Sequence, residues 1–440
     1  MTFIILMLAM VATFIFLIEK RKKSRKLIEE TIPTVDFGDD SDELDIVHIS
    51  DIHYLAPSLT DYGDAFSQNV EKGDGKMVRY IDQVMDSFIL EMIKKKPKAV
   101  IVGGDITYNG EKISHQNMAK KFKILKDKNI DVLVIPGNHD INNEKAKSFK
   151  NKEDLSVESV NEEEFKEIYS NFGYSDEDPK VIARDKNSLS YMYMINKFQC
   201  ILMIETSCGK NDLQLSNQTY KWIERMLHIA SINNLSVISV THQNILAHNK
   251  MFISGYKIEN SSKLIKLFSD HNIRLNLSGH MHMQHISENE GVSDAAVGSI
   301  ALYPSLYACI HTDVRDNIKY KTESLDVDYW AQKYGWKDDN LLHFKDKSKD
   351  FFIECTRYQT NPTLDKVNTT LEEKREMMDF MIDTNLYYFS GRMGEREDLN
   401  KDNTNYKKWK KYCEDTFLMS YLNSIYEDSS RSHNKLEISM

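Results

Sequence analysis

The chain has 440 residues, 41% of them apolar and 10% aromatic, which suffices for a large buried core and excludes a wholly disordered chain. A formal net charge of -10 excludes a general nucleic-acid binder, so no nucleic-acid polymer is expected as a partner. Five cysteines (Cys200, Cys208, Cys309, Cys355 and Cys413), none in a CxxC pair, exclude a thiolate metal site and a dense disulfide framework.

The run from Thr2 to Ile18 carries no charge, and EKRKKSRK follows it directly. Spanning a bilayer takes roughly 17–25 apolar residues. With no A-x-A site or lipobox-type cysteine, residues 1–18 are expected to form an uncleaved, single-pass transmembrane helix in the cell membrane. The basic residues from Lys20 to Lys26 then put the rest of the chain on the cytoplasmic side. Residues 19–43, basic and then acidic, read as a juxtamembrane linker.

Next come short runs rich in Ile and Val: Asp45–Ser50, Ala99–Gly104, Asp131–Pro136, Cys200–Glu205, Ser236–Thr241 and Ile273–Ser278. Such runs suit strands buried on both faces. Between them, apolar residues at helical spacing predict helices over Met77–Lys95, Ser114–Lys128, Thr219–Asn233 and Ser262–Asn272. The alternation implies an α/β core over residues 44–315. Asn142–Lys180, highly charged around an apolar patch at Phe165, Ile168 and Tyr169, reads as a surface insertion. From about Asp316 the strand pattern stops, and helices over Leu371–Phe389 and Tyr406–Tyr426 predict a C-terminal helical domain, residues 316–440.

The C-terminal ends of the predicted strands share one chemistry. They present Asp51 and His53, Asp105, then Asn138, His139 and Asp140, then His242, and last His280 and His282 of NLSGHMHM. Singly, each is an ordinary turn residue or helix cap. At one sheet edge, where ligands bind in open α/β folds, two carboxylates, an amide oxygen and four imidazoles instead describe a site for a pair of metal ions. Nitrogen and oxygen donors without thiolate suit Mn, Fe or Zn. In the His-x-His pair the middle residue points away, and Gly279 permits close backbone approach.

The series D-x-H, G-D, G-N-H-D, a lone His and G-H-x-H resembles the calcineurin-like metallophosphoesterase superfamily over about Asp45 to Ile310. The resemblance implies a β-sandwich flanked by helices. It also implies that Asp51, His53 and His282 hold one metal, Asn138, His242 and His280 the other, and Asp105 bridges. His139 then contacts phosphate and protonates the leaving oxygen, with Asp140 either its orienter or a turn residue. The stretch GGDITYNGEKISHQNMAKKF is similar to bacterial cyclic-nucleotide phosphodiesterases that carry a C-terminal helical domain. That implies a small phosphoester substrate of the cyclic AMP type and substrate contacts at Asn109, His115 and Tyr303. Because those relatives are commonly exported, the resemblance favours an extracellular location where the charge pattern favours a cytoplasmic one. A phosphomonoesterase, a nucleotide or lipid pyrophosphate hydrolase and a non-catalytic scaffold of the same fold are the competing functions. The sequence carries no signature of oligomeric state.

Overall fold

The computed structural model describes residues 35, 37, 43–72, 74–150, 152–206, 213–313, 317–427 and 431–439. The transmembrane helix expected over residues 1–18 lies outside the described residues, and among these no helix is long and apolar enough to cross a membrane.

In chain order the strands are β1 (Glu43–Ile49), β2 (Ala99–Val102), β3 (Asp131–Val134), β4 (Lys147–Lys150), β5 (Glu153–Ser156), β6 (Val181–Arg184), β7 (Tyr191–Met194), β8 (Gln199–Ile204), β9 (Ser236–Thr241), β10 (Leu275–Ser278), β11 (His285–Asn289), β12 (Val292–Ala296), β13 (Leu306–Asp313), β14 (Ile318–Ser324) and β15 (Lys435–Ile438). One sheet runs β15-β14-β13-β1-β2-β3 and the other β11-β12-β10-β9-β8-β7-β6, with β4 and β5 a separate hairpin. In the first sheet β1, β2 and β3 are parallel neighbours, and in the second β8, β9 and β10 are. All six predicted strands are therefore present, and they are the ones that carry site residues or border them. Ile46, Val100, Ile101, Val132 and Val240 in these strands are at most 2% exposed.

The longer helices are α1 (Ile81–Lys95), α2 (Lys112–Lys126), α3 (Asn217–Ile232), α4 (Ser261–Asp270), α5 (Phe344–Leu364), α6 (Leu371–Phe389), α7 (Thr404–Cys413) and α8 (Phe417–Ile425). Each of the first four buries an apolar stripe at helical spacing, as with Val84, Met85, Phe88 and Met92 of α1. The helix expected over Tyr406–Tyr426 is divided. The Thr416 hydroxyl accepts the Met419 N–H at 3.2 Å and starts α8 afresh.

Three further departures from the sequence reading have physical causes. Strands continue beyond Asp316: in β14, Ile318 and Tyr320 are buried while Lys319 and Lys321 face solvent, a period-two pattern with few apolar residues. The C-terminal β15 returns from the helical unit to pair with β14. In the charged insertion, Phe165 and Tyr169 are fully buried and pack edge-on against His115, so its apolar patch belongs to the main core.

The helical unit has its own core of Met377, Met381, Trp409, Leu422 and Ile425, which also takes in Met283 from the turn after β10. Trp409 is fully buried, and its indole N–H donates to the Met377 carbonyl at 2.8 Å. Trp409→Ala is expected to destabilise this unit by about 3–5 kcal/mol, read as a shift of the urea midpoint.

Candidate metal centre

The two sheets meet with the C-terminal ends of β1, β2, β3, β9 and β10 on a common edge. Backbone hydrogen bonds continue past the strands there: Asp51 N–H donates to Gly104 O at 3.1 Å, His53 N–H to Asp105 O at 2.9 Å, and Gly279 N–H to His242 O at 3.0 Å. Two donor groups result, one of Asp51, His53, Asp105 and His282, the other of Asp105, His242 and His280, each with its ligand atoms within 4.8 Å of one another. Asp105 is common to both. Asn138 joins the second group through its Oδ1, 3.1 Å from His242 Nε2.

The spacing suits cations. Two donors on one ion at about 2.0–2.2 Å, with tetrahedral or octahedral angles, sit about 3.0–3.5 Å apart. Here His53 Nε2 and His282 Nε2 are 3.0 Å apart, His282 Nε2 and Asp51 Oδ1 3.4 Å, His242 Nε2 and Asp105 Oδ2 3.3 Å, and His280 Nδ1 and His242 Nε2 3.3 Å. The outer nitrogens are already committed: His242 Nδ1 donates to Gly103 O at 2.8 Å and His280 Nε2 to Gly255 O at 2.9 Å. These bonds fix both rings and turn the remaining nitrogens, one on each ring, toward each other. Facing nitrogens repel unless a proton or a metal ion lies between them.

Asp51 and Asp105 are buried, yet both are held ionised. Burial pushes each carboxyl up, but the charge and hydrogen bond of His282 bring Asp51 below its usual value, and the charges of His242 and His139 take Asp105 well below. Burial alone would lower His242, but the Asp105 carboxylate beside it pushes the ring up to about 9. Burial, and then the charge of His242, push His280 down to about 4. The buried carboxylates thus draw a cation to this edge, whether a proton on His242 or a metal ion in its place.

The remaining predicted residues separate into three groups. His139 stands at the rim, its side chain 32% exposed and its Nε2 4.0 Å from Asp105 Oδ2. Its Nδ1–H points to Tyr108 O at 2.9 Å and Asn109 Oδ1 at 3.0 Å, so Asn109 positions His139. Asp140 does not orient His139. Its carboxylate accepts the N–H groups of Ile106, Thr107 and Gly137 at 3.0, 2.8 and 2.8 Å, locking the turns after β2 and β3 together. One expected substrate contact is corrected. His115 is fully buried, with one ring nitrogen bonded to Tyr169 Oη and the other to Asp140 O, and so has no face for a ligand. Tyr303 lines a cavity with Lys345, Lys349 and Arg392, and its ring centroid is 6.4 Å from that of Phe352.

Lys76 has no sequence signal beyond a lone lysine in a GDGK turn. It is 6% exposed, paired with Asp74 at 2.9 Å, and lies 5.7 Å over the Tyr108 ring. After burial, its charge is the largest influence pushing the His53 ring well below its usual value.

A family model described as calcineurin-like phosphoesterase matches residues 44–284, more than half of the chain. The chain belongs to the calcineurin-like phosphoesterase family. A second model, the C-terminal domain of cyclic nucleotide phosphodiesterase, matches residues 326–432, so this phosphoesterase carries that domain behind its sandwich. Similar solved structures include a dimetal phosphatase from Danio rerio, at 12% identity and TM-score 0.45, covering 64% of this chain and 96% of that one. Another is a purple acid phosphatase from yellow lupin (Lupinus luteus) seeds, at 12% identity and TM-score 0.41, covering 65% of this chain and 52% of that one. No curated protein matches this phosphoesterase.

One measurement tests the centre, and a second tests the buried acid that precedes α2. A Cβ on Gly279 would stand 1.9 Å from Ser50 Oγ and 2.5 Å from Asp51 Oδ2. Gly279→Ala is therefore expected to weaken metal binding about 10–100-fold, read by competition with a chromophoric chelator. Separately, burial pushes the Glu111 carboxyl up to about 7 against the opposing backbone N–H groups of Asn109 and Glu111. The folded chain then keeps a proton that the unfolded chain releases, so stability falls as pH rises from about 4.5 to about 7 and is level above. Glu111→Gln is expected to match the parent in stability at pH 4 and to exceed it by about 3 kcal/mol at pH 8, read by urea denaturation at both pH values.

Proposed function

We propose that this chain is a dinuclear-metal-dependent phosphodiesterase that hydrolyses a small nucleotide ester of the cyclic AMP type. The observation that carries the reading is a full donor set on one sheet edge beside a domain shared with cyclic nucleotide phosphodiesterases. Asp51, His53 and His282 would hold one ion and Asn138, His242 and His280 the other, and Asp105 belongs to both donor groups. The donor chemistry suits Mn, Fe or Zn. When bound, the ions supply Lewis acidity toward water and neutralise the charge of the phosphoryl oxygens.

The chain's own groups act around that chemistry. His139, the more exposed ring at the rim, presents Nε2 to the ester and delivers a proton to the leaving oxygen as the P–O bond breaks. Tyr108 O and Asn109 Oδ1 hold its Nδ1–H, so the reacting nitrogen stays aimed at the centre. Lys76, whose charge is felt at His53, adds positive potential on the same side of the site. Residues 1–18 attach the catalytic unit to the membrane in the same proposal.

The purified chain with added Mn²⁺ is expected to split bis(p-nitrophenyl) phosphate and 3′,5′-cyclic AMP in preference to p-nitrophenyl phosphate. A preference for the monoester rejects the diesterase reading. Chelation is expected to abolish the activity and Mn²⁺ to restore it, while Asp105→Asn lowers kcat/KM by more than about 10²-fold, beyond the cost of an outer-shell change.

A further inference from the structure

A cavity of about 340 Å³ lies between the helical unit and the turn that carries His280 and His282. Small-molecule sites begin at about 300 Å³. Met281, the residue between the two histidines, points away from the centre and forms part of its wall. Tyr256 is also there, its ring centroid 5.4 Å from that of His280. The helices contribute Phe352 and Phe389, whose rings are 5.4 Å apart, and Tyr421. Asp74 lines the same cavity and pairs with Lys76 at 2.9 Å.

Within this aromatic lining stands Asn385, on α6 and 8% exposed. Its Oδ1 accepts the Tyr421 hydroxyl at 2.9 Å. Among the described residues its amide nitrogen has no partner. A polar group open to an otherwise aromatic cavity fixes the orientation of what binds there. With Oδ1 already accepting from Tyr421, the open groups of Asn385 are chiefly its two amide N–H donors. The ligand group it matches is flat, stacks on aromatic rings and carries an acceptor on its edge.

We propose that this cavity receives the nucleobase of the ester substrate, stacked on the aromatic wall with a ring nitrogen or carbonyl oxygen accepting from Asn385. The inference rests on the phosphodiesterase reading above and gives the C-terminal domain its task, that of selecting the ester by its base. An acyl chain would fill the same volume but leave the Asn385 amide unsatisfied. Stacking is tolerant of base identity, so discrimination between bases falls to the edge that meets Asn385.

The test uses the full chain. Isothermal titration of adenosine, which has no phosphate, into metal-stripped protein is expected to show binding, weakened at least tenfold in Asn385→Leu. In the metal-loaded enzyme, the ratio of kcat/KM for cyclic AMP to that for bis(p-nitrophenyl) phosphate is expected to fall by a similar factor. Should Asn385→Leu fail to fold by circular dichroism, Asn385→Asp, of equal size and with an acceptor in place of the donor, is expected to show the same losses. Undiminished adenosine binding in a folded variant, an unchanged ratio, or binding of a diacyl phosphodiester with no binding of adenosine overturns the proposal. Adenosine binding without hydrolysis of any cyclic nucleotide would leave the cavity assignment standing and remove the functional one. Hydrolysis of cyclic AMP at an unchanged ratio would do the reverse.

Discussion

The metal centre depends on a backbone conformation that L-amino acids avoid. Asp51, His53, Asp105, His280 and His282 have φ of 56°, 49°, 48°, 67° and 56°, all in the left-handed region. Each costs roughly 1–2 kcal/mol against an ordinary conformation, and such residues collect where function requires them. The left-handed turn brings the side chain back toward the sheet edge, so that donors from separate strands face inward together. Hydrogen bonds between the turns, from Asp51 to Gly104, His53 to Asp105 and Gly279 to His242, offset the strain, and the Asp140 carboxylate ties three more N–H groups into the same edge.

The parts nearest the chemistry were the most legible in the sequence. Parallel strands such as β2 and β3 are buried on both faces and so read as unbroken apolar runs, and a donor at the end of each run is a pattern with a physical cause. Strands such as β14 escaped because half of their residues meet solvent. Helix α5 escaped because its buried face uses Ser348, Thr356 and Thr360 among its few apolar residues. The division between α7 and α8 turns on the single hydroxyl of Thr416.

The site residues follow a similar rule. Asp51, His53, Asp105, Asn138, His242, His280 and His282 were legible because seven donors recur in one structural context. Asn109 and His115 share a motif but differ in depth: Asn109 reaches the His139 ring, whereas His115 is sealed under Tyr169. Sequence order carries no information on depth. Lys76 and Asn385 were invisible for a related reason, because a lone lysine in a turn or a lone asparagine in a helix gains meaning only from what packs around it.

The returning strand β15 has an architectural consequence. The chain leaves the first sheet through β14, builds the helical unit, and comes back to pair with β14 itself. Entry and exit are thus neighbours on one rung of the same ladder, and the whole unit behaves topologically as a long insert whose two ends are pinned together. Helices of a different length or lining could be exchanged there without shifting the register of any strand that bears a metal donor. Selectivity and reactivity are therefore free to diverge at different rates in this architecture.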